Sequence, residues 1–280
     1  MNVLTIESRV AWGHVGNAGA IFCLQRLGIE AWPIDTVTFS NHPGHGGFRG
    51  RVTPAAEIHD LVQGIAERGW LGRVDAVLTG YMGDAAQGPA VRAAVGAVKS
   101  ANPGALWLLD PVMGDRKPGE AGRVFVKPGI PEFIAEVAPL ADILTPNAFE
   151  FELLTGAAPD SLARVVGAAR AYGPEITVVK SIELTPGRLT TVAVAPDQAW
   201  AVETPLLPTP GNGAGDAFAA LFLARYLENH DVELALGLAV SSIHAVLAAT
   251  VASDAAELAL VAAQYQLVAP QQRFRPRRVD

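Results

Sequence analysis

The sequence predicts an α/β fold with a mainly parallel central sheet and helices on both faces. Short β-rich runs alternate with longer segments of helical periodicity. The runs Val3–Ile6 and Leu106–Leu109 are short and apolar, as strands covered on both faces are. Half of the 280 residues are apolar, enough to bury one large core.

The elements follow in order. Val3–Ile6 is the first strand, and Asn17–Leu27 a helix stopped by Gly28. Ile34–Phe39 is the second strand. Pro54–Arg68 is a helix with its proline near the start, where the missing N–H costs nothing. Ala76–Leu78 is a strand, Ala85–Ala101 a helix, Leu106–Leu109 a strand and Ile130–Val137 a helix. Ile143–Leu144 is a strand, Ala148–Leu154 and Leu162–Tyr172 are helices, and Ile176–Val179 is a strand. Thr190–Ala195 and Ala199–Val202 form a hairpin around Pro196-Asp197. Ala214–Glu228 and Val232–Thr250 are long closing helices. No repeat, linker or low-complexity tract interrupts the chain, so one domain over 1–280 is expected.

The bulk properties exclude several function classes. A net charge of −7 disfavours nucleic acid and anionic membrane as partners. The basic cluster Arg273, Arg275, Arg277 and Arg278 reads as a solvated tail. The single cysteine, Cys23, rules out an intramolecular disulfide and a cysteine-rich metal site. The N-terminus lacks the pattern of a signal peptide. His244, Ser253, Asp254 and Glu257 break the apolar run near 234–263, against a membrane span. The expectation is a soluble, cytoplasmic protein.

The most informative segment is Thr209-Pro-Gly-Asn-Gly-Ala-Gly-Asp216-Ala-Phe218. Glycines allow a sharp turn and a close backbone approach. The following helix opens with unpaired N–H groups and a dipole that favours an anion. Gly213, Ala214 and Gly215 are therefore candidate phosphate donors. Asp216 beside such a cradle would repel phosphate, unless it takes a proton from an attacking alcohol. No Walker sequence is present. The plain alternative is a capped helix with Asp216 facing its dipole.

In parallel sheets ligands gather at the carboxyl ends of strands. Those ends carry Glu7-Ser8, Ser40-Asn41-His42-Pro43-Gly44-His45, Thr79-Gly80-Tyr81, Asp110-Pro111-Val112-Met113-Gly114-Asp115, Thr145-Pro146-Asn147 with Glu150, and Lys180-Ser181. The early ends suit a polar organic substrate. Asp110, Asp115, Asn147 and Glu150 offer the oxygen ligands that suit Mg²⁺. Asn147 and Glu150 also have the spacing of a capping box. Lys180 suits a nucleotide phosphate or a plain strand end. His42 and His45 read as a solvated loop or as substrate contacts, and His14 and His244 as structural residues. Gly13-x-x-Gly16-x-x-Gly19 lacks dinucleotide-binding spacing.

Together these residues resemble the ribokinase-like superfamily, and within it the pyridoxal kinases, over nearly the whole chain. The superfamily pattern rests on Asp110–Asp115, Thr145-Pro146-Asn147 and Gly213–Asp216. Ser8 with Gly13–Asn17, Ser40-Asn41-His42 and Thr79-Gly80-Tyr81 resemble pyridoxal kinases more narrowly. The resemblance implies a ribokinase-like fold and ATP-dependent phosphorylation of the 5′-hydroxymethyl group of pyridoxal or a close analogue. It implies Asp216 as base, residues 213–215 as anion hole, and Ser8, His42 and Tyr81 around the substrate. Asp110, Asp115, Thr145, Asn147, Glu150 and Lys180 would surround the nucleotide and its ions, with Asp110 and Glu150 nearest Mg²⁺. Arg116–Val126 would form a flap. ATP, Mg²⁺, a response to K⁺ and a homodimer belong to the same expectation.

Two positions depart from the family. Pro43 replaces a common threonine and donates neither hydroxyl nor N–H. Ala214 stands where threonine is usual and keeps only its backbone donor. The first bears on substrate preference, the second on phosphate contacts. The alternatives are a hydroxymethylpyrimidine or sugar kinase of the same superfamily, and a non-catalytic B6-vitamer-binding protein.

Overall fold

The computed structural model describes residues 1–116, 121–208 and 211–280. In chain order its strands and helices are β1 (Asn2–Trp12), α1 (Asn17–Arg26), β2 (Glu30–Asn41), β3 (Gly50–Val52), α2 (Ala55–Glu67), β4 (Ala76–Thr79), α3 (Gly88–Ala101), β5 (Leu106–Leu109), β6 (Gly114–Asp115) and β7 (Arg123–Val124). Then come α4 (Ile130–Val137), β8 (Ile143–Leu144), α5 (Ala148–Thr155), α6 (Leu162–Tyr172), β9 (Ile176–Thr185), β10 (Arg188–Val194), β11 (Ala199–Pro205), α7 (Ala214–Asn229), α8 (Val232–Ala252), α9 (Gln264–Val268) and β12 (Arg277–Arg278).

The main sheet runs β12-β11-β10-β9-β8-β5-β4-β1-β2-β3. Its six central strands, β9 to β2, are parallel. Antiparallel strands finish both ends. Strand alternation sends Val3, Ala76 and Leu78 to the core shared with α1, α7 and α8. It sends Leu4, Ile6 and Val77 to the opposite core, under α2, α3 and α4. A third cluster packs α6 against β9, β10 and β11.

Helix α7 is buried almost all round, with Phe218, Leu221, Phe222 and Leu223 nearly inaccessible. Such a helix belongs in the interior. Helix α8 is long and apolar enough to cross a membrane by length and composition, yet 61% of its most apolar stretch is buried inside the protein. It packs on α7 and against β10 and β11.

Several boundaries differ from the sequence reading. β1 continues past Ile6 to Trp12, because its pairing with β2 outlasts its pairing with β4. A register shift between Glu7 and Arg9 marks a bulge in that extension. β2 begins before Pro33, which is tolerated because β3 covers only Val37–Phe39 and leaves the rest of that edge open. β9 runs on to Thr185 because β10 folds back along it. The short pieces β3, β6, β7, α9 and β12 lack enough residues to show a period. Of the expected flap, residues 117–120 lie outside the described residues; Arg123–Val124 pairs with Gly114–Asp115 as a two-stranded ribbon.

Candidate active site

The candidate base sits where a glycine turn feeds a helix. Gly213 is the N-cap of α7 in the left-handed region, φ 80°. A Cβ on Gly213 would collide with the carbonyl of His14, so only glycine fits. Asp216 follows in the first turn and is 8% exposed. Its Oδ2 accepts the Gly16 N–H at 2.7 Å. Gly16 has φ 57°, and a Cβ there would strike Ser8. Gly16, in the turn before α1, therefore holds the Asp216 carboxylate, and His14 contributes through its backbone.

The cradle differs in one respect from the sequence reading. The sequence assigns the Ala214 N–H to phosphate. That N–H is instead taken by the Gly211 carbonyl at 3.0 Å, closing the turn. The Gly215 N–H has no acceptor among the described residues, so it is the better donor. Thr209 and Pro210 lie outside the described residues.

The bulge in β9 aims Lys180 inward. Two residues of β10, Thr190 and Val192, bracket Ile182 to Val179 on β9. Ser181 takes φ 58°, a rare conformation for a non-glycine residue. Lys180 is thereby buried, and its Nζ donates to Asp110 Oδ1 at 2.7 Å. Thr145 Oγ1 donates to the same oxygen at 3.0 Å. Asp110 Oδ2 has no protein donor among the described residues.

Asn147 and Glu150 form a full capping box on α5: Asn147 accepts the Glu150 N–H, and Glu150 Oε2 accepts the Asn147 N–H at 2.9 Å. Glu150 Oε1 accepts the Met113 N–H at 3.0 Å, and Asn147 Nδ2 donates to the Gly114 carbonyl at 2.9 Å. The pair thus fastens the Asp110–Asp115 loop to α5. Asp115 stands apart from this buried group, exposed on the β6–β7 ribbon, where its carboxylate accepts the Arg116 N–H.

The early residues occupy the same edge of the sheet. Ser8 is buried on β1, Tyr81 follows β4 half-buried, and His42 follows β2. His42 Nδ1 accepts the Gly44 N–H at 3.1 Å, which leaves Nε2 as the protonated nitrogen of the neutral ring. Burial lowers the His42 pKa; Glu257 opposes that shift and His45 adds to it. Pro43 is exposed at the head of the short 3-10 turn Pro43–His45.

The sequence places Glu7 at a strand end but assigns it no role in the site. Its side chain is wholly buried, and neither carboxyl oxygen has a hydrogen-bond partner among the described residues. It lies beneath Gly80, whose missing Cβ leaves room for Oε1. Burial raises its pKa well above the usual range, followed by repulsion from Asp216 and Asp110, with Lys180 opposing. The available signal was a carboxylate two positions from Thr5 on the core-facing side of a central strand. Burial and Asp110 also lift Glu150 to about 8 and Asp216 to about 6.

The raised pKa of Glu7 has a testable consequence. Its folded-state pKa is raised, so above pH 4.5 the unfolded chain releases a proton that the folded chain keeps. Folding stability therefore falls as pH rises, by about 1.4 kcal/mol per unit while Glu7 stays protonated. Glu7→Gln cannot ionise in either state. Its melting temperature should rise relative to the parent between pH 5 and pH 8. A gap that stays constant across that range would show that Glu7 is already ionised in the fold.

Among the described residues the site thus gathers the carboxyl groups of Glu7, Asp110, Glu150 and Asp216 around the ammonium of Lys180. A family model described as phosphomethylpyrimidine kinase matches residues 56–259. The pyridoxal kinase PdxY of Rubrobacter xylanophilus is 49% identical, covering 100% of this chain and 98% of the relative. That of Deinococcus radiodurans is 45% identical, covering 100% and 97%. The chain belongs to the pyridoxal kinase family. A solved pyridoxal kinase from Leishmania donovani, in complex with ADP and pyridoxamine, superposes with a TM-score of 0.92. It is 27% identical, covering 100% of this chain and 99% of that one. The fold of this kinase is accordingly ribokinase-like, and its glycine-turn aspartate belongs to a phosphotransferase.

Proposed function

We propose that this enzyme phosphorylates the 5′-hydroxymethyl group of pyridoxal with ATP. The observation that carries the reading is Asp216, buried at the start of α7, oriented by Gly16 N–H and next to the Gly215 N–H. Asp216 accepts the hydroxyl proton while that oxygen bonds to the γ-phosphorus. The bond from phosphorus to the bridging oxygen breaks, and ADP leaves. Gly213 shapes the turn, and the Gly215 N–H, with the α7 dipole, meets developing negative charge. Ser8, His42 and Tyr81 line the vitamer side, with no hydroxyl contact from Pro43.

The residues fit Mg²⁺. Among the described residues, carboxyl groups outnumber buried ammonium groups at the site, and a nucleotide adds further anions. Asp110 Oδ2 is the open oxygen. Glu150, with both oxygens accepting backbone N–H groups, would act through water. Mg²⁺ would neutralise phosphate charge. Among the described residues no group of three or more His, Cys, Asp or Glu is placed to hold a metal without further ligands, so the reading gives Mg²⁺ phosphate oxygens and waters as well. Lys180 meets nucleotide phosphate, with Thr145 and Asn147 holding the loops around it. The β6–β7 ribbon, with Asp115 on β6 and Arg123–Val124 on β7, flanks the nucleotide side of the site. A homodimer, a K⁺ response and a cytoplasmic setting complete the reading.

The test is ADP release from MgATP with pyridoxal, pyridoxine, pyridoxamine and a hydroxymethylpyrimidine. Pyridoxal should turn over well, and Glu150→Ala should raise the Mg²⁺ needed for half-maximal rate. A wide preference for the pyrimidine, the substrate class named by the matching family model, would replace the pyridoxal assignment. No turnover of any acceptor would leave a binding protein.

A further inference from the structure

Glu257 lies between α8 and α9, far in sequence from the base and the substrate loop. Its side chain is 10% exposed. Oε2 accepts the His14 N–H at 3.0 Å. Oε1 pairs with His45 Nε2. Gly13 makes this approach possible: it has φ 111°, and a Cβ there would collide with the Glu257 carboxylate.

Each partner leads directly into the site. His14 precedes Gly16 by two residues, and Gly16 N–H holds Asp216. The His14 carbonyl fills the space left by the missing Cβ of Gly213. His45 closes the 3-10 turn that begins after His42, and the two rings meet edge to face with centroids 6.4 Å apart. Trp12, at the tip of β1, packs edge-on against His45 at 5.0 Å. One carboxylate therefore ties the substrate loop to the turn that orients the base.

We propose that Glu257 is a positioning residue: its two oxygens lock the His42–His45 loop onto the Gly13–Gly16 turn, so that the substrate contacts and the base keep one geometry. Charge-assisted bonds at both oxygens make this a stronger tie than a neutral group would give. The many glycines from Gly44 to Gly50 offer the loop little order of their own. The proposal rests on the pyridoxal kinase reading.

Steady-state kinetics on the intact enzyme distinguish the two. Glu257→Ala should raise KM for pyridoxal roughly 10–100-fold, the loss expected for hydrogen bonds to a charged group, and also lower kcat. KM for ATP should stay within about twofold, because Glu257 touches nothing assigned to the nucleotide. Glu257→Gln keeps an acceptor for His14 N–H and places an amide against His45, so it should recover most of the loss. His45→Ala, on the surface loop, should raise KM for pyridoxal without lowering the melting temperature. The double variant should be no worse than Glu257→Ala alone. Additive effects of the two substitutions, or an unchanged KM for pyridoxal in folded Glu257→Ala, would overturn the proposal. A parent enzyme that does not phosphorylate pyridoxal would instead overturn the functional reading.

Discussion

Asp216→Asn should lower kcat by roughly 10²–10⁴, the usual contribution of a general base, while ATP still binds. The substitution removes the proton acceptor and keeps the shape. Gly16 N–H can still donate to the amide oxygen, so the glycine turn and α7 should stay in place. The pH profile provides a second check. Burial and the neighbouring Asp110 raise Asp216 to about 6, with Gly16 N–H and Lys180 opposing. The base works only when ionised, so kcat/KM for the parent should rise about tenfold per pH unit up to about pH 6 and then level. The residual rate of Asp216→Asn should lack that limb. A variant that turns over pyridoxal at the parent rate, or retains the same limb, would remove Asp216 from the reaction.

Lys180→Met should destabilise the fold by about 3–5 kcal/mol, the cost of leaving one member of a buried ion pair alone. Lys180 Nζ and Asp110 Oδ1 are 2.7 Å apart, and the Asp110 side chain is 2% exposed. Without the ammonium, Asp110 faces Glu7, Glu150 and Asp216 with Thr145 Oγ1 as its one remaining side-chain donor among the described residues. Activity should fall as well, since Lys180 also holds the Asp216 pKa down. Its loss should move the acid limb of kcat/KM to higher pH. The double variant Lys180→Met with Asp110→Asn removes both charges and should regain much of the lost stability, measured by thermal unfolding. A single variant as stable as the parent would show that the pair carries no stabilising role.

The elements most legible in the sequence were those with a full period or a strong stop signal. The bounds of α4 and α6 match their periodicity at both ends. Gly28, with φ 76°, ends the region of α1 as glycine past a helix does. The capping box of Asn147 and Glu150 was visible as spacing and is present as hydrogen bonds. The extension of β1, the length of β9 and the short ribbons were not legible, because each depends on a partner strand rather than on its own pattern.

The sequence alone determined the parallel α/β architecture, the glycine turn before Asp216 and the family resemblance. These rest on local chemistry: periodicity, glycine at turns and fixed spacings of polar residues. Only the tertiary structure decided which groups share one environment. Glu7 became a buried carboxyl with no partner among the described residues because β1 is an interior strand between β4 and β2, which sets Glu7 under Gly80 and near Asp216 of α7. Gly16 met Asp216 across 200 positions of sequence, and Glu257 met His45 across 212. Ala214 N–H went to Gly211, a choice made by the geometry of the turn. Burial, charge proximity and long-range hydrogen bonds set these roles, and all three depend on distances that arise only when the chain has folded.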